Sequence, residues 1–470
     1  MNTVELNNNA MEILQSVNDN DFVLGYSSSG KKAGLISVGK INSTQWAGCR
    51  WRKDSVTTVG EPCGSLAKIE RLADYLGLGG YLVQNDHTRR KLSKTNHNQF
   101  EGGAAAALDG SMGHYQWGWG VNFYYATWED DTYIYEAIDI KPIPGRRNYF
   151  IPVGSRSCAG YATLDRTTGA LVSFVSYEAR YRGGNNDATL DAQFNSQLCK
   201  PATQTPIATF AAAARKNGNM WLANSRVMFF ITGAIKRIIF HNRNIQAAYN
   251  ATLTADGLHQ GGTGQGVSLP GDWNNVWKYY PYINLDAGVD KGDLLGTFST
   301  SINDNGTTKS MGGIPSFYGL KNDYKYLWQM AEDVLLQCNA DKSQSVYIKN
   351  EIDGSAFNMS TVDGKVLMGR TPAYSAANWN YISKLNLENL VMFPLAVGAS
   401  ETTGYADGYY NPAATSGLRG AGCLGHAVVG GYAGSACLAG SHAPSGAHAL
   451  MGACLCEFVK AFSTEPALIA

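Results

Sequence analysis

The chain of 470 residues has few charged side chains and no excess of either sign. Asp, Glu, Lys and Arg make up 16% of it, and 38 basic residues face 38 acidic ones. Soluble domains average about 25% charged residues, and proteins that bind nucleic acid usually carry a basic excess. We therefore expect no nucleic-acid partner, and a near-zero net charge suits a protein that is held in a large assembly.

Long apolar runs are also missing, and we expect no signal peptide. No segment reaches about 18 apolar residues, so we expect no transmembrane helix and no membrane insertion. Residues 1–22 are polar and rich in Asn, without the basic start and apolar run of a signal peptide. We expect synthesis in a cytoplasm and, for any role outside the cell, release by lysis.

Recognisable catalytic and phosphate-binding motifs are lacking. The sequence contains no nucleophile elbow, no HExxH helix and no convincing Ser/His/Asp arrangement. Gly25–Lys32 is close to a phosphate-binding loop, but Lys32 stands where Ser or Thr should hold magnesium, and a strand-like run follows. A hairpin turn is the favoured interpretation. The carboxylates at 129–131, and the pair Asp290 and Asp293, are more typical of solvated turns than of calcium loops.

The cysteines do not indicate a disulfide framework or a metal centre. There are nine of them, an odd number, and no Cys-x-x-Cys pair occurs. Synthesis in a reducing compartment favours buried, free thiols. Cys423 and Cys437 lie near His426, His442 and His448, but this spacing fits no standard zinc pattern. The sequence therefore predicts no metal and no cofactor.

Glycine and aromatic residues are abundant, with 53 Gly, 26 Tyr and 10 Trp. Their patterns predict a hairpin, several strands and a few helices. Ser65 is expected to cap one helix and Gly77 to end it. The predicted elements are a hairpin over 22–41, helices over 65–76, 207–217 and 221–239, strands near 115–119, 133–142, 346–352 and 366–367, and a long irregular region over 250–320.

Two aromatic runs, 115–119 and 273–282, could stack sugars or bases. Tyr115, Trp117 and Trp119 alternate, so a strand would place them on one face. Buried and exposed aromatic residues have the same sequence pattern, and packing in a core or a subunit interface is the favoured role.

We expect three regions along the chain. Residues 1–60 are predicted to form an N-terminal arm and hairpin, and residues 61–148 a β-rich, aromatic-rich domain. Pro and Gly cluster at 142–147, which predicts a boundary before a third domain at 149–470. Within it, Gly420–Cys456 contains no Asp, Glu, Lys or Arg. Such a stretch is either packed, inside or against a neighbouring subunit, or displayed as an uncharged binding surface. Packing is favoured because small residues let chains approach closely.

Four blocks in the last 270 residues carry a resemblance to a known family. They are Pro206–Ile231, Arg243–Asn250, Pro315–Val334 and Leu418–Leu455. In the third, Gly319, Leu320, Asn322, Tyr324, Leu327 and Trp328 match the family's signature, whereas Lys325 departs from it. In the fourth, Arg419, Gly420, Gly422, Ala433, Gly434, Pro444 and Gly452 match, whereas Ala453 and Cys454 depart. In this order the blocks resemble the formylglycine-generating-enzyme (sulfatase-modifying-factor) type of C-type-lectin fold, as carried by virion fibre and receptor-binding proteins of phages of gut Bacteroidetes (crAss-like).

The resemblance implies an α+β fold, in which a β-rich N-terminal region precedes a loop-rich, C-type-lectin-like domain. It implies no enzymatic activity, because Cys423 and Cys437 are too far apart to match the family's copper-binding pair. It implies a phage virion fibre or spike, on the head or the tail, that binds a host-surface glycan or protein. The final segment would form the ligand face, and its candidate binding residues are His426, Tyr432, His442, Ser445 and His448.

The expected partners are further copies of the chain, as a homo-dimer or homo-trimer, and other virion proteins bound through residues 1–60. Two alternatives stay open. One is a purely structural capsid or tail decoration or assembly protein without a ligand. The other is a glycan-degrading enzyme, which would need two carboxylates about 5–10 Å apart in a cleft lined by Trp117, Trp119 and Trp128.

Overall fold

A computed structural model describes residues 22–26, 33–37, 46–186, 197–249, 281–304 and 307–469. Strands account for 39% of these residues and helices for 14%, with four α-helices in the described part. The predicted α+β class is therefore wrong. The fold is β-rich, with several sheets, of which one is nearly closed and barrel-like.

The strands of the first half are short and lie mainly in two sheets. They are β1 (Phe22–Tyr26), β2 (Ala33–Ser37), β3 (Ala47–Arg52), β4 (Glu61–Gly64), β5 (Gly79–Val83), β6 (Arg89–Lys91), β7 (His114–Trp119), β8 (Phe123–Glu129), β9 (Tyr133–Asp139), β10 (Arg147–Ile151), β11 (Gly154–Ser157), β12 (Thr163–Leu164), β13 (Leu171–Val172) and β14 (Trp221–Ala223).

The second half contains the longest strands of the described chain. Its strands are β15 (Gly296–Asp304), β16 (Thr307–Phe317), β17 (Leu320–Lys321), β18 (Trp328–Cys338), β19 (Gln344–Ile348), β20 (Glu351–Ile352), β21 (Val366–Arg370), β22 (Asn378–Asn386), β23 (Phe393–Val397), β24 (Gly408–Asn411), β25 (Leu418–Cys423), β26 (Leu438–Ala439), β27 (Met451–Gly452), β28 (Leu455–Phe458), β29 (Phe462–Ser463) and β30 (Ala467–Leu468).

Three large sheets organise these strands. One six-stranded sheet has the order β30-β10-β8-β9-β3-β4, and another the order β14-β28-β11-β7-β5-β6. The nine-stranded sheet has the order β21-β19-β18-β25-β26-β24-β22-β23, with β27 beside β18. Strands from both sides of residue 148 pair with each other, as β7 does with β11 and β10 with β8. One hydrophobic cluster accordingly runs from Ala47 to Phe462.

Four α-helices accompany the sheets in the described residues: α1 (Leu66–Glu70), α2 (Leu72–Leu76), α3 (Ile207–Arg215) and α4 (Arg226–Phe240). The Ser65 side chain accepts a hydrogen bond from the backbone N–H of Lys68, and Gly77 ends α2 in the left-handed conformation. Both predicted helix ends are thus confirmed. Short 3₁₀ turns occur at Ala179–Tyr181, Ile245–Ala248, Val289–Lys291, Glu388–Leu390 and Ala427–Tyr432.

Helix α4 lies at the centre of the molecule. Thirteen of its residues, Arg226 to Ile238, are buried, and it packs against β3, β9, β11 and β18 from all three large sheets. A helix that is apolar on most sides is expected to be buried in this way. No helix of the described residues is long and apolar enough to cross a membrane.

The structure differs from the elements predicted by the local sequence pattern in two places. The predicted helix over 221–239 begins only at Arg226, because Trp221–Ala223 pairs with β28 as an edge strand. In the region expected to be irregular, β15 and β16 form a long antiparallel hairpin. The predicted N-terminal hairpin is confirmed by the antiparallel pair β1 and β2, whereas most of the aromatic run 273–282 lies outside the described residues.

Candidate functional site

An aromatic pocket of about 460 Å³ opens over the nine-stranded sheet. Its floor and walls come from β18, β22, β24 and the 3₁₀ turn that follows His426. The lining residues are Trp328, Trp379, Tyr381, Tyr410, His426, Val429, Gly430, Gly431, Tyr432, Ala439, Ser441 and His442. We call this site the aromatic pocket.

Strand pairing brings the aromatic rings together. Trp379 and Tyr381 are two residues apart on β22, so both side chains point to the same face of the sheet. Trp379 is the register partner of Tyr410 on β24, and Tyr410 in turn pairs with Ala439 on β26. The pocket is therefore built on adjacent, hydrogen-bonded strands, which hold the rings in fixed positions.

The rings form a nearly parallel stack. The Trp328 and Trp379 planes differ by 4° with centroids 6.1 Å apart. Tyr432 lies 5.2 Å from Trp379 at 19° and 4.4 Å from Tyr381 at 28°. Trp328 is buried, whereas Trp379, Tyr381 and Tyr432 are half-buried. The half-buried rings leave part of their surface open to the pocket.

Gly408 lets the Tyr432 ring lie directly on the sheet. A Cβ atom at position 408 would come within 2.6 Å of Tyr432 Cβ and within 2.8 Å of the Trp379 ring. Those distances are too short for any side chain, so glycine at this position is a requirement of the stack.

The pocket is electrically neutral near pH 7. None of the described lining residues is Asp, Glu, Lys or Arg. Burial, with a smaller effect of His442, lowers the pKa of His426 to about 3, and burial also lowers the pKa of His442. Both rings are therefore uncharged. His426 Nδ1 is buried and has no hydrogen-bond partner among the described residues. This nitrogen therefore has an unused hydrogen-bonding capacity.

The structure brings together three of the five predicted ligand-binding residues. His426, Tyr432 and His442 line the aromatic pocket. Ser445 and His448 are exposed and lie beyond its lining, although the His448 ring is 5.1 Å from that of His442. The role of all five residues in ligand binding stays a prediction.

Sequence reasoning missed the other half of the pocket. Trp328, Trp379, Tyr381 and Tyr410 were not predicted to bind a ligand. The signal that could have found two of them is the alternation of Trp379 and Tyr381 in a polar segment, which leaves both rings on one face of an exposed strand. Their proximity to Tyr432 depends on the sheet order, which the local sequence does not encode.

The aromatic run 115–119 packs in the core, as favoured. Tyr115, Trp117 and Trp119 are all buried, and the indole N–H groups of the two tryptophans donate to the carbonyls of Tyr318 and Pro152. These tryptophans do not line the cleft that a glycan-degrading enzyme would need.

A second cavity, of about 530 Å³, contains Trp128 and charged residues of both signs. Its acidic residues are Glu129, which is paired with Lys53 at 2.9 Å, and Glu388. Arg243, which is only 5% exposed, stacks between the rings of Trp51 and Tyr405 at 4.9 and 4.7 Å. Four basic side chains line this cavity together with the two carboxylates, so we interpret it as a solvated groove of mixed charge.

A buried polar cluster joins the two halves of the chain. His97 Nε2 lies 2.9 Å from Asp293 Oδ1, and His97 Nδ1 lies 2.7 Å from the Tyr115 hydroxyl and 3.8 Å from Cys158 Sγ. The order Cys, His, Asp is that of a nucleophilic triad. However, Cys158 and His97 are fully buried, and burial raises the pKa of Cys158 to about 11. Because the Cys158 thiol is neutral and no substrate can reach it, we interpret this cluster as a structural hydrogen-bond network and not as a catalytic triad.

The cysteines are all free, as predicted, and seven of the nine are buried. Cys456 lies on β28 and Cys454 directly precedes that strand. Their side chains point the same way, with Sγ atoms 3.4 Å apart. Among the residues that the structure describes, no group of three or more His, Cys, Asp or Glu side chains has a metal-binding arrangement.

No protein-family model matches the chain, and no curated protein matches it by sequence.

Proposed function

We propose that this chain is a non-enzymatic binding protein that holds a sugar unit of a host-surface glycan in the aromatic pocket. The observation that carries the proposal is the neutral stack of half-buried rings, formed by Trp379, Tyr381 and Tyr432 beside the unpartnered His426 nitrogen. Apolar faces with a few convergent polar groups are typical of small-ligand sites.

The chemistry of the pocket favours an uncharged sugar. A pyranose ring has a C–H face that packs on an aromatic ring and hydroxyls at its edge. Here Trp379 and Tyr432 offer ring faces with polar tips, and His426 Nδ1 and Ser441 offer hydrogen-bonding groups beside them. An anionic sugar would find no compensating cation among the described lining residues.

We propose a virion fibre or spike as the setting in which this binding takes place. The low charge, the balance of the two signs and the ordered blocks that resemble phage proteins support this setting. Assembly as a homo-dimer or homo-trimer and attachment to other virion proteins through residues 1–60 belong to the same proposal. Most of residues 1–45 lie outside the described part of the chain.

The test is binding of the full chain to an array of neutral and acidic oligosaccharides, followed by calorimetry with the best binder. Trp379→Ala removes one stacked ring, which contributes about 1 kcal/mol beyond its buried area. We expect it to weaken binding by about tenfold. Trp128→Ala is the matched control, because Trp128 is also half-buried and stacked, on Tyr135, but lies outside the aromatic pocket.

Point substitution is preferable to truncation of the final segment. Removing the chain after Leu418 would delete most of β25, which lies between β18 and β26 in the nine-stranded sheet. Absence of binding by the folded wild-type protein would contradict the proposal and favour a virion component without a ligand. An equal loss in the Trp379 and Trp128 variants would place the binding site elsewhere.

A further inference from the structure

Arg243 is a buried arginine without a counter-charge. It follows α4 and is only 5% exposed. Its backbone N–H donates to the Thr58 carbonyl at 2.8 Å, which holds the residue against the segment between β3 and β4. Its Nε has no hydrogen-bond partner, and its guanidinium forms no ion pair, among the described residues. An arginine stays protonated in proteins, so a buried positive charge is left without an anion.

Two aromatic rings hold the guanidinium of Arg243. Its central carbon lies 4.9 Å from the centre of the Trp51 ring and 4.7 Å from that of Tyr405, and both rings are buried. Aromatic faces attract a cation, which helps the fold to tolerate this charge. The rings are no substitute for a carboxylate, however, because the N–H groups of the guanidinium still lack a hydrogen-bond acceptor.

The buried acid of the adjoining strands is bound to another arginine. Glu136 on β9 is the register partner of Cys49 on β3. Its two carboxylate oxygens accept hydrogen bonds from Arg237, at 2.8 and 2.7 Å. Glu136 therefore neutralises Arg237, and Arg243 needs an anion from elsewhere.

The guanidinium of Arg243 can be reached through the cavity of about 530 Å³ described above. We call this cavity the mixed-charge groove. Besides its charged residues, it is lined by Trp128, Ile134, Leu385, Leu395 and Tyr405. The two terminal nitrogens of Arg243 have no protein partner among the described residues and are not buried, so they are open to the groove. The volume is typical of small-ligand sites.

The other charges that line the groove balance one another. Two basic side chains are already ion-paired, Lys53 with Glu129 at 2.9 Å and Arg52 with Asp54 at 2.6 Å. The exposed Lys384 and Glu388 contribute one charge of each sign. The charge that remains is the single positive charge of Arg243. A ligand with one negative charge would compensate it.

We propose that the mixed-charge groove binds a small organic monocarboxylate, whose carboxylate accepts hydrogen bonds from the Arg243 guanidinium. A planar guanidinium matches a planar carboxylate in geometry, and such charge-assisted pairs are among the strongest hydrogen bonds in proteins. The apolar body of the acid packs against Trp128, Leu385 and their neighbours. A dianion such as sulfate fits less well, since the described lining residues include only one unpaired buried cation. This inference does not rest on the aromatic pocket.

The test compares benzoate with its neutral amide, benzamide, as probes of the full chain. Both molecules contain the same flat ring, but only benzoate is an anion near pH 7. In isothermal titration calorimetry at constant ionic strength, we expect benzoate to bind and benzamide to bind at least about tenfold more weakly. Sulfate should also bind more weakly than benzoate. Benzoate should raise the midpoint of thermal unfolding as its concentration increases.

Substitution of Arg243 tests the position of the site. Arg243→Met removes the charge but keeps an unbranched side chain beside the two rings, and it should weaken benzoate binding at least about tenfold. This variant should fold, because it removes a buried charge that no anion compensates. Arg243→Lys keeps the charge without the planar group and should have an intermediate affinity.

The matched control for these variants is Arg50→Met. Arg50 also lies over an aromatic ring, 4.1 Å from the centre of Tyr133, but it is paired with Glu61 and lies outside the groove. Its substitution should leave the affinity for benzoate unchanged.

Four results would overturn the proposal. Absence of benzoate binding by the folded wild-type protein would show that the rings and solvent are sufficient for Arg243. Equal binding of benzamide would show that the groove does not recognise the charge. Unchanged affinity in Arg243→Met, or in Arg243→Lys should the first variant not fold, would place the carboxylate elsewhere. Tighter binding of sulfate than of benzoate would contradict the choice of a monocarboxylate.

Discussion

The pair Glu136 and Arg237 links the central helix to the sheet formed by β9 and its neighbours. Both side chains are buried, with exposed fractions of 1% and 0%. Arg237 donates from Nε to Oε1 at 2.8 Å and from Nη2 to Oε2 at 2.7 Å, and the Tyr125 hydroxyl donates to the same carboxylate at 3.0 Å. Burial lowers the pKa of Arg237, but Glu136 more than offsets this and raises it, so the guanidinium remains charged in the interior.

Glu136→Ala should therefore be strongly destabilising. The substitution leaves a buried guanidinium without its counter-charge and a buried tyrosine hydroxyl without its acceptor. Loss of one partner of a buried ion pair costs about 3–5 kcal/mol, and the whole free energy of unfolding of a domain is about 5–15 kcal/mol. We expect a large fall in stability, whereas Glu136→Met with Arg237→Met should recover most of it, because the double variant contains no unpaired charge.

Urea denaturation followed by tryptophan fluorescence measures this effect, since tryptophans lie in the same sheets. The control is Asp54→Ala, which breaks the exposed pair of Arg52 and Asp54 at 2.6 Å and should not shift the midpoint measurably. A loss below about 1 kcal/mol for Glu136→Ala, or a double variant as unstable as the single one, would refute the reasoning that an uncompensated buried charge dominates the cost.

Two further predictions concern pH and backbone strain. Burial lowers the pKa of His114 from 6.5 to about 3, so the unfolded chain binds a proton that the folded chain rejects. The free energy of unfolding should therefore fall as the pH drops from 6.5 towards 3, with a shallower slope in His114→Phe if equilibrium unfolding is followed at several pH values. Gly160→Ala should cost more than Gly145→Ala in urea denaturation. Both glycines have positive φ, but only at Gly160 would a Cβ meet backbone, at 2.5 Å from the Lys321 carbonyl oxygen; equal costs would contradict this.

Local signals in the sequence predicted local structure well. The hydroxyl of Ser65 and the left-handed Gly77 bound the first helical segment, and the alternation around Trp117 predicted a strand, which the structure has as β7. Each of these features is determined within a few residues, by a side-chain cap, a positive φ or the two-residue period of a strand. The predictions were wrong at β14, β15 and β16, because these segments are strands only through pairing with a distant or facing strand.

The prediction of the fold class was wrong for the same reason, because it too depends on pairing between strands that are distant in sequence. The apolar periods of α3 and α4 were recognised, but the many short strands between Gln344 and Leu468 contain only two to nine residues each. Runs of that length carry little periodic signal. Their pairing partners are far away in sequence, as for β14 with β28 and β10 with β30, so the share of strand was underestimated and the share of loop overestimated.

The charge-free segment Gly420–Cys456 shows why composition alone left two alternatives open. Most of it is buried by the rest of the same chain, including Ala421, Ala433, Leu438, Ala453 and Cys454. Small uncharged residues are needed there because β25 and β26 pack tightly, as at Gly420, where a Cβ would come within 2.2 Å of the Met330 sulfur. The lack of charge is thus explained within one subunit and is not in itself evidence for a subunit interface. The partly exposed residues of the segment lie mainly at His426, at Tyr432 and over Ser441–His448, and His426, Tyr432, Ser441 and His442 among them line the aromatic pocket. Substitutions at these surface positions can therefore change ligand preference at little cost to the core, whereas substitutions in the buried remainder should act through stability.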